Sequence, residues 1–278
     1  MNIFQSIIIA IIEGITEFLP ISSTAHMKFA NPFLGIESSP FVDLFEIVIQ
    51  LAAIASVVVI YRKRFFDFKH YSFYIKLIIA VIPALIFGAA LKKHIDAALG
   101  NLWVIAIVMV AGGILLLFID QFFAKAEAAK NQASDQISDQ TSDQEEVTYK
   151  KSFIIGCFQV LSILFPGLSR SAATIIGGMS QQLNKKTALE FSFFLAVPTM
   201  LAASAKSTLD VYKTNPAIFG QENLITLLIG AVVAFVVALL SVQFFMRIVE
   251  KRGFAPFGWY RIVLGLSILG LLYTHYLN

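Results

Sequence analysis

Charge is scarce in this sequence. Only 14% of its 278 residues are Asp, Glu, Lys or Arg, while 58% are hydrophobic and mean hydropathy is +0.77. Soluble domains carry about 25% charged residues, so a chain this poor in charge does not cover a water-facing surface and reads as a polytopic membrane protein. Cysteine is nearly missing as well. Cys157 stands alone, which excludes an intramolecular disulfide, and it lacks the neighbours of a metal cluster, so a small packed core position is its expected role. No basic region precedes the first short apolar run and no small-residue cleavage site follows it, so the N-terminus is expected to be mature structure and not a signal peptide. The net charge of +3 comes from Lys and Arg placed beside apolar spans, where topology accounts for them. Nucleic-acid binding is not expected.

What polar chemistry there is sits in two stretches. Glu13 to His26 reads EGITEFLPISSTAH, and Phe165 to Thr174 reads FPGLSRSAAT. Ionisable groups inside a membrane are costly and are rare there unless they face a cavity and work. Both stretches break an apolar run at a proline, at Leu19-Pro20-Ile21 and at Pro166-Gly167. Proline lacks an amide proton and disfavours helix at the residue before it, and irregular backbone at membrane depth survives only where it lines a cavity. Residues 3–19 with 24–36, and 153–165 with 169–181, are therefore expected to form two re-entrant helix-loop-helix hairpins. Ser22 is placed to cap the second half of the first.

Six longer apolar runs are expected to span the bilayer: Phe41 to Tyr61, Tyr74 to Leu91, Leu102 to Phe123, Ala188 to Ala205, Leu224 to Met246 and Phe257 to Tyr276. Between the third and fourth lies Ala124 to Tyr149, with a threefold Ser-Asp-Gln repeat that has almost nothing to bury and reads as a polar linker. The expected organisation is a first repeat at 1–123, with its hairpin at 1–40, a linker at 124–150, and a second repeat at 151–278, with its hairpin at 151–184. An offset of 146 lays Glu13 on Gln159, Pro20 on Pro166, Ser23 on Ser169 and Phe45 on Phe191. Three spans per repeat invert the second copy, which predicts an all-α inverted repeat with a site at the midplane. Arg62, Lys63, Arg64 and Lys69, then Lys125, Lys130, Lys150 and Lys151, then Arg247, Lys251 and Arg252 fall on one side of this scheme. That side is expected to be cytoplasmic and both termini outside, although Lys92 and Lys93 run against the rule.

The two hairpins carry complementary groups. Glu13 and Glu17, four apart, share a helix face, and two carboxylates at low dielectric call for a proton or a cation between them. Without a Cys or His cluster, an oxygen-liganded ion, Mg²⁺ or Ca²⁺, suits them better than zinc. The alternative is one glutamate engaged in a cap or a structural pair. Ser22, Ser23 and Thr24 offer hydroxyls, with His26 within a turn as a candidate base. Alone, His26 would read as an interfacial histidine with its bonds satisfied. Across the chain, the half-helix after Pro166-Gly167 presents free amides, and Ser169, Arg170, Ser171 and Thr174 surround that anion-binding end. Arg170 needs an anionic partner, which is Glu17 or a substrate phosphate. Asp43, Glu46 and Gln50 form a stripe on one helical face that either lines the same cavity or, for Asp43, is solvated at a helix end. The whole set is an inventory for phosphoryl transfer on a lipid-borne phosphate.

EGITEFLPISSTAH and PGLSRSAAT resemble the two signature motifs of the BacA-type undecaprenyl pyrophosphate phosphatases, and the likeness extends through FEIVIQLAAI at Phe45 to Ile54 and EFSFFLAVP at Glu190 to Pro198. The resemblance implies a divalent-metal-dependent enzyme of the bacterial inner membrane. It would remove the terminal phosphate of undecaprenyl pyrophosphate, recycle the lipid carrier for peptidoglycan synthesis, and be associated with bacitracin resistance. It places the acidic motif on Glu13 and Glu17, the hydroxyl and histidine on Ser23 and His26, and phosphate binding on Ser169, Arg170 and Thr174. Attack by Ser23, or by water that it orients, with His26 as base is the mechanism expected from this reading. A polyprenyl-phosphate flippase, acting alone or beside the hydrolase, is the alternative that the inverted-repeat architecture suggests. A homodimer is left open.

Overall fold

The computed structural model describes residues 1–134 and 147–276, with the side chains of 124–134 outside the description. The Ser-Asp-Gln repeat lies outside the described residues. No strand occurs among the described residues. In order come α1 (Ile3–Thr16), α2 (Ser23–Phe33), α3 (Pro40–Ile60), the short α4 (Arg62–Phe65), α5 (Tyr71–Ala90), α6 (Lys92–Leu99), α7 (Leu102–Ser134), α8 (Tyr149–Leu164), α9 (Arg170–Ser180), α10 (Lys185–Thr214), α11 (Gln221–Arg252) and α12 (Ala255–Tyr273). Helices α3, α5, α7, α10, α11 and α12 are long and apolar enough to cross a bilayer. The protein is an all-α, multi-pass membrane protein.

Local sequence sets the boundaries. Asn2 and Gln5 form a reciprocal capping box at the start of α1, Ser39 caps α3 ahead of Pro40 at its first position, and Asn184 caps α10. Helix α7 runs eleven residues past the expected end at Phe123, to Ser134, because Ala, Lys, Glu and Gln dominate that extension and favour helix without needing a core. Helices α10 and α11 also overrun their expected limits.

Besides the short connecting helices α4 and α6, four helices are too short to cross a hydrocarbon core of about 30 Å: at about 1.5 Å per residue, the 14 residues of α1 reach about 21 Å and the 11 of α2 and of α9 about 17 Å. The 16 residues of α8 come to about 24 Å. These short helices pair as α1 with α2 and α8 with α9, and the first member of each pair packs on a span from the other half of the chain, α1 on α11 and α8 on α5. The approach is close. A Cβ at Gly156 of α8 would collide with the Ala80 carbonyl of α5, and one at Gly14 of α1 would lie 2.8 Å from the Ala234 carbonyl of α11.

Large apolar side chains such as Ile78, Phe118, Leu228, Leu240, Phe244 and Val263 are exposed on the outer faces, as lipid contact requires. Inside, a chain of aromatic contacts links Phe18 to Phe193, Phe193 to Phe245 and Phe245 to Phe257, tying the first hinge to α10, α11 and α12. Cys157 is exposed on α8 and not packed in the core, because the buried face of that helix carries Ser152, Ile155, Gly156, Gln159 and Val160. Among the described residues the largest fully buried side chain is a cation, Arg261 of α12.

Candidate active site

The two hinges meet inside the bundle. Ser22 precedes α2 at φ +69° and Ser169 precedes α9 at φ +78°, both in the left-handed region that side chains rarely adopt. Each is held there as an N-cap, since Ser22 Oγ accepts from Ala25 N at 3.4 Å and Ser169 Oγ from Ala172 N at 3.3 Å. Two such residues cost about 1–3 kcal/mol each, and strain of this kind gathers where a chain aims functional groups. Ser22 and Ser169 thus hold like places in the two hinges, although the second hinge has one more residue between its proline and its cap.

That register puts Ser23 and Arg170 at equivalent first positions of α2 and α9, and Glu17 lies between them. Ser23 Oγ donates to Glu17 Oε2 at 2.6 Å, and Arg170 Nη2 donates to Glu17 Oε1 at 2.7 Å, across 153 residues of chain. Arg170 Nη1 donates in addition to the Ser192 carbonyl at 3.3 Å. A cavity of about 80 Å³ opens over this triad, lined by Glu17, Ser22, Ser23, Thr24, Gln50, Ser169, Arg170 and Met200. One water needs about 10–15 Å³ of such space, so the cavity has room for several water-sized groups, such as the oxygens of a phosphoryl group.

The remaining expected residues have other partners. Ser171 Oγ donates to the Leu19 carbonyl at 3.0 Å and thereby binds the second hairpin to the first hinge. Thr174 Oγ1 donates to the Arg170 carbonyl and lies 2.6 Å from Ser192 Oγ, so it braces α9 from behind. His26 also turns away. Its Nδ1 donates to the Ser22 carbonyl at 2.7 Å, which leaves Nε2 of the neutral ring to accept from the Tyr260 hydroxyl at 2.8 Å, and the two rings stack. Both ring nitrogens are thus engaged, and the group in contact with Ser23 Oγ is the Glu17 carboxylate. The acidic stripe on α3 divides in the same way. Gln50 reaches Thr24 and the cavity, whereas Glu46 takes bonds from Lys28 and Asn31, and Asp43 pairs with Lys28 near the surface. Sequence reading missed Tyr260, Ser192 and Lys28, and the signal available for each was a polar group inside an apolar run.

Glu13 is fully buried one turn from Glu17, and neither of its carboxylate oxygens has a hydrogen-bond partner. An orphaned buried carboxylate beside a second one suits a hard cation in donor type. Among the described residues no three Asp, Glu, His or Cys converge, so further ligands would be neutral protein oxygens, phosphate oxygens or water, as suits Mg²⁺ or Ca²⁺. Gln159, at the place of Glu13 in the second half, accepts from Thr199 and brings no charge, so the carboxylates come from the first hairpin alone.

The sequence has many relatives. A family model described as bacitracin resistance protein BacA matches residues 6–267. Proteins named undecaprenyl-diphosphatase are similar over nearly their whole length: 49% identity in Flavobacterium psychrophilum over 97% of this chain and 95% of the relative, 47% in Bdellovibrio bacteriovorus over 99% and 97%, and 44% in Porphyromonas gingivalis over 98% and 97%. With carboxylate, hydroxyl and guanidinium already gathered from both motif stretches, and with matches that run from the first hairpin into the last span, the chain belongs to the BacA family.

Proposed function

We propose that this chain is an undecaprenyl-diphosphatase, converting undecaprenyl diphosphate to undecaprenyl phosphate and inorganic phosphate, and that Ser23 is its nucleophile. The observation that carries the mechanism is the bridge at Glu17, one carboxylate bonded at once to Ser23 Oγ and to Arg170 Nη2. In the resting site Glu17 neutralises Arg170. An incoming diphosphate offers Arg170 a better partner, and the carboxylate released from the guanidinium becomes the base for the serine proton it already holds. Ser23 Oγ then forms a bond to the terminal phosphorus as its proton passes to Glu17. The bond from that phosphorus to the bridging oxygen breaks, and undecaprenyl phosphate departs. Water next attacks the phosphorus of the phosphoserine, the bond from that phosphorus to Ser23 Oγ breaks, Oγ takes its proton back from Glu17, and phosphate leaves carrying the oxygen and both protons of the water. The amides that open α2 and α9 favour the phosphate charge throughout. Glu13 and Glu17 would hold the Mg²⁺ or Ca²⁺, which when bound supplies positive charge to the diphosphate oxygens.

The lipid follows from the surroundings. An apolar hollow of about 440 Å³ between α3 and α10, lined by Val48, Leu51, Leu201, Leu209 and Tyr212 among others, begins at the chain neighbours of the cavity residues Gln50 and Met200. It suits the first isoprene units while the head group sits at Ser23. The short pairs α1–α2 and α8–α9 are read as re-entrant hairpins entering from opposite faces, with both termini outside, in keeping with the loop charges.

The test is phosphate release from a polyprenyl diphosphate by purified protein, with and without EDTA, for wild type and for Ser23→Ala, Glu17→Gln and Arg170→Ala. Metal-dependent release lost in the variants supports the reading. A wild type that binds the lipid without releasing phosphate would overturn it in favour of a carrier.

A further inference from the structure

We propose that Arg261 is a positioning residue of this site, a buried cation that pins the hinges of both hairpins in one register from behind the cavity. Its side chain is fully buried in α12 and does not line the cavity. It donates from Nη1 to the Pro20 carbonyl at 3.0 Å and to the Leu168 carbonyl at 2.7 Å, and from Nη2 to the Gly167 carbonyl at 2.8 Å. The first of these carbonyls belongs to the first hinge and the other two to the second. The guanidinium is itself anchored to α7, with Nε donating to the Met109 carbonyl at 3.1 Å and Nη2 reaching toward the Val108 carbonyl at 3.5 Å. A guanidinium has five N–H donors, and five carbonyls receive them. A lysine, with three donors, does not reproduce that set, and an apolar residue of similar size would leave the hinge carbonyls buried and unpaired.

Two consequences bear on phosphate. Carbonyl oxygens carry negative partial charge, and held on Arg261 they are turned away from the cavity where a diphosphate would sit. A trans peptide sets its N–H opposite its C=O, so fixing the Leu168 carbonyl points the Ser169 N–H away from the guanidinium. The same fixation sets the left-handed turns at Ser22 and Ser169, and hence the meeting of Ser23, Glu17 and Arg170. The charge has no carboxylate among its partners, so it adds positive potential behind an anion site. Helix α7 makes room for it, since a Cβ at Gly112 would collide with Arg261 Nη2.

The activity arm of the test rests on the phosphatase reading, and the exchange arm does not. Full-length Arg261→Lys is compared with wild type by amide hydrogen exchange and by steady-state phosphate release. Exchange is expected to quicken in peptides covering 18–25 and 165–173 while α3 and α11 stay protected. We expect kcat to fall about 100-fold, the scale of a 1 Å misplacement, with KM within about threefold of wild type. If Arg261→Lys does not fold, Gly112→Ala, which keeps the charge and displaces the fork, is read by the same criteria. Faster exchange at one hinge only, at neither, or uniformly along the chain would overturn the proposal, as would kcat within about threefold of wild type. Should wild type release no phosphate, the phosphatase reading fails while the exchange comparison still decides the role of Arg261.

Discussion

Replacing Glu17 by glutamine is the sharpest probe of the bridge, because kcat and KM should move in the same direction. Glutamine keeps the shape and an acceptor for Arg170 but takes away the negative charge and the base. The pair is mostly buried, with side-chain exposures of 7% for Glu17 and 12% for Arg170. Stripping one charge from a buried pair costs about 3–5 kcal/mol, and a retained hydrogen bond puts this variant at the lower end, about 3 kcal/mol. Loss of a general base costs about 10²–10⁴-fold in kcat. Arg170, no longer committed to a carboxylate, should bind phosphate better. A charge-assisted bond nets about 1.5–3 kcal/mol, so with half of the smaller value recovered KM should fall about threefold to fourfold. The assay is phosphate release against substrate concentration at saturating divalent ion, so that a weakened metal site does not masquerade as weakened binding. A kcat within tenfold of wild type would refute Glu17 as the base, and a rise in KM would refute competition between carboxylate and phosphate for Arg170.

Other perturbations bear on separate links. Ser23→Ala should abolish phosphate release, and acid-quenched wild type given labelled substrate should retain label on Ser23; an unlabelled chain from active enzyme would favour direct attack by water. Tyr260→Phe removes one neutral hydrogen bond to His26, worth about 1 kcal/mol, so kcat/KM should drop about fivefold, and a loss beyond a hundredfold would restore a direct chemical role to the histidine. Gly156→Ala forces α8 away from the Ala80 carbonyl and should cost about 1–3 kcal/mol, read as a lower unfolding temperature with activity per folded molecule retained. EDTA should stop turnover, and Mg²⁺ or Ca²⁺ should restore it, if Glu13 and Glu17 hold an ion.

Much of the molecule was legible in the sequence because the membrane imposes a severe filter. A carboxylate or guanidinium in an apolar run is conspicuous, so Glu13, Glu17 and Arg170 announce themselves, and a proline between two half-length runs marks the hinge. The filter says nothing of partners. His26 lies three residues from Ser23 in sequence and looked like its base, yet α2 turns the ring to Tyr260, 234 residues away. Arg261 carried the same signal as Arg170, but it lacks neighbouring serines and threonines and stands where a span could be read straight through. Thr174 and Ser171 were placed at the phosphate by their position after the hinge, whereas the helix turns their hydroxyls toward protein oxygens. The α7 overrun was missed because linker polarity was read as an absence of helix, although alanine-rich polar sequence favours one.

The bridge from Glu17 to Arg170 spans 153 residues, and this has a bearing on biosynthesis. At about 5–20 residues per second, a ribosome needs roughly 8–30 s to progress from one partner to the other. Throughout that interval the early half sits in the translocon or the bilayer with its acidic hairpin lacking the arginine that will neutralise it. The nascent half-protein is therefore a client for whatever insertase or chaperone shelters polar segments in membranes. Chains truncated before Arg170 should be recognised and degraded. Two halves expressed as separate polypeptides, cut within 135–146, should protect one another when produced together.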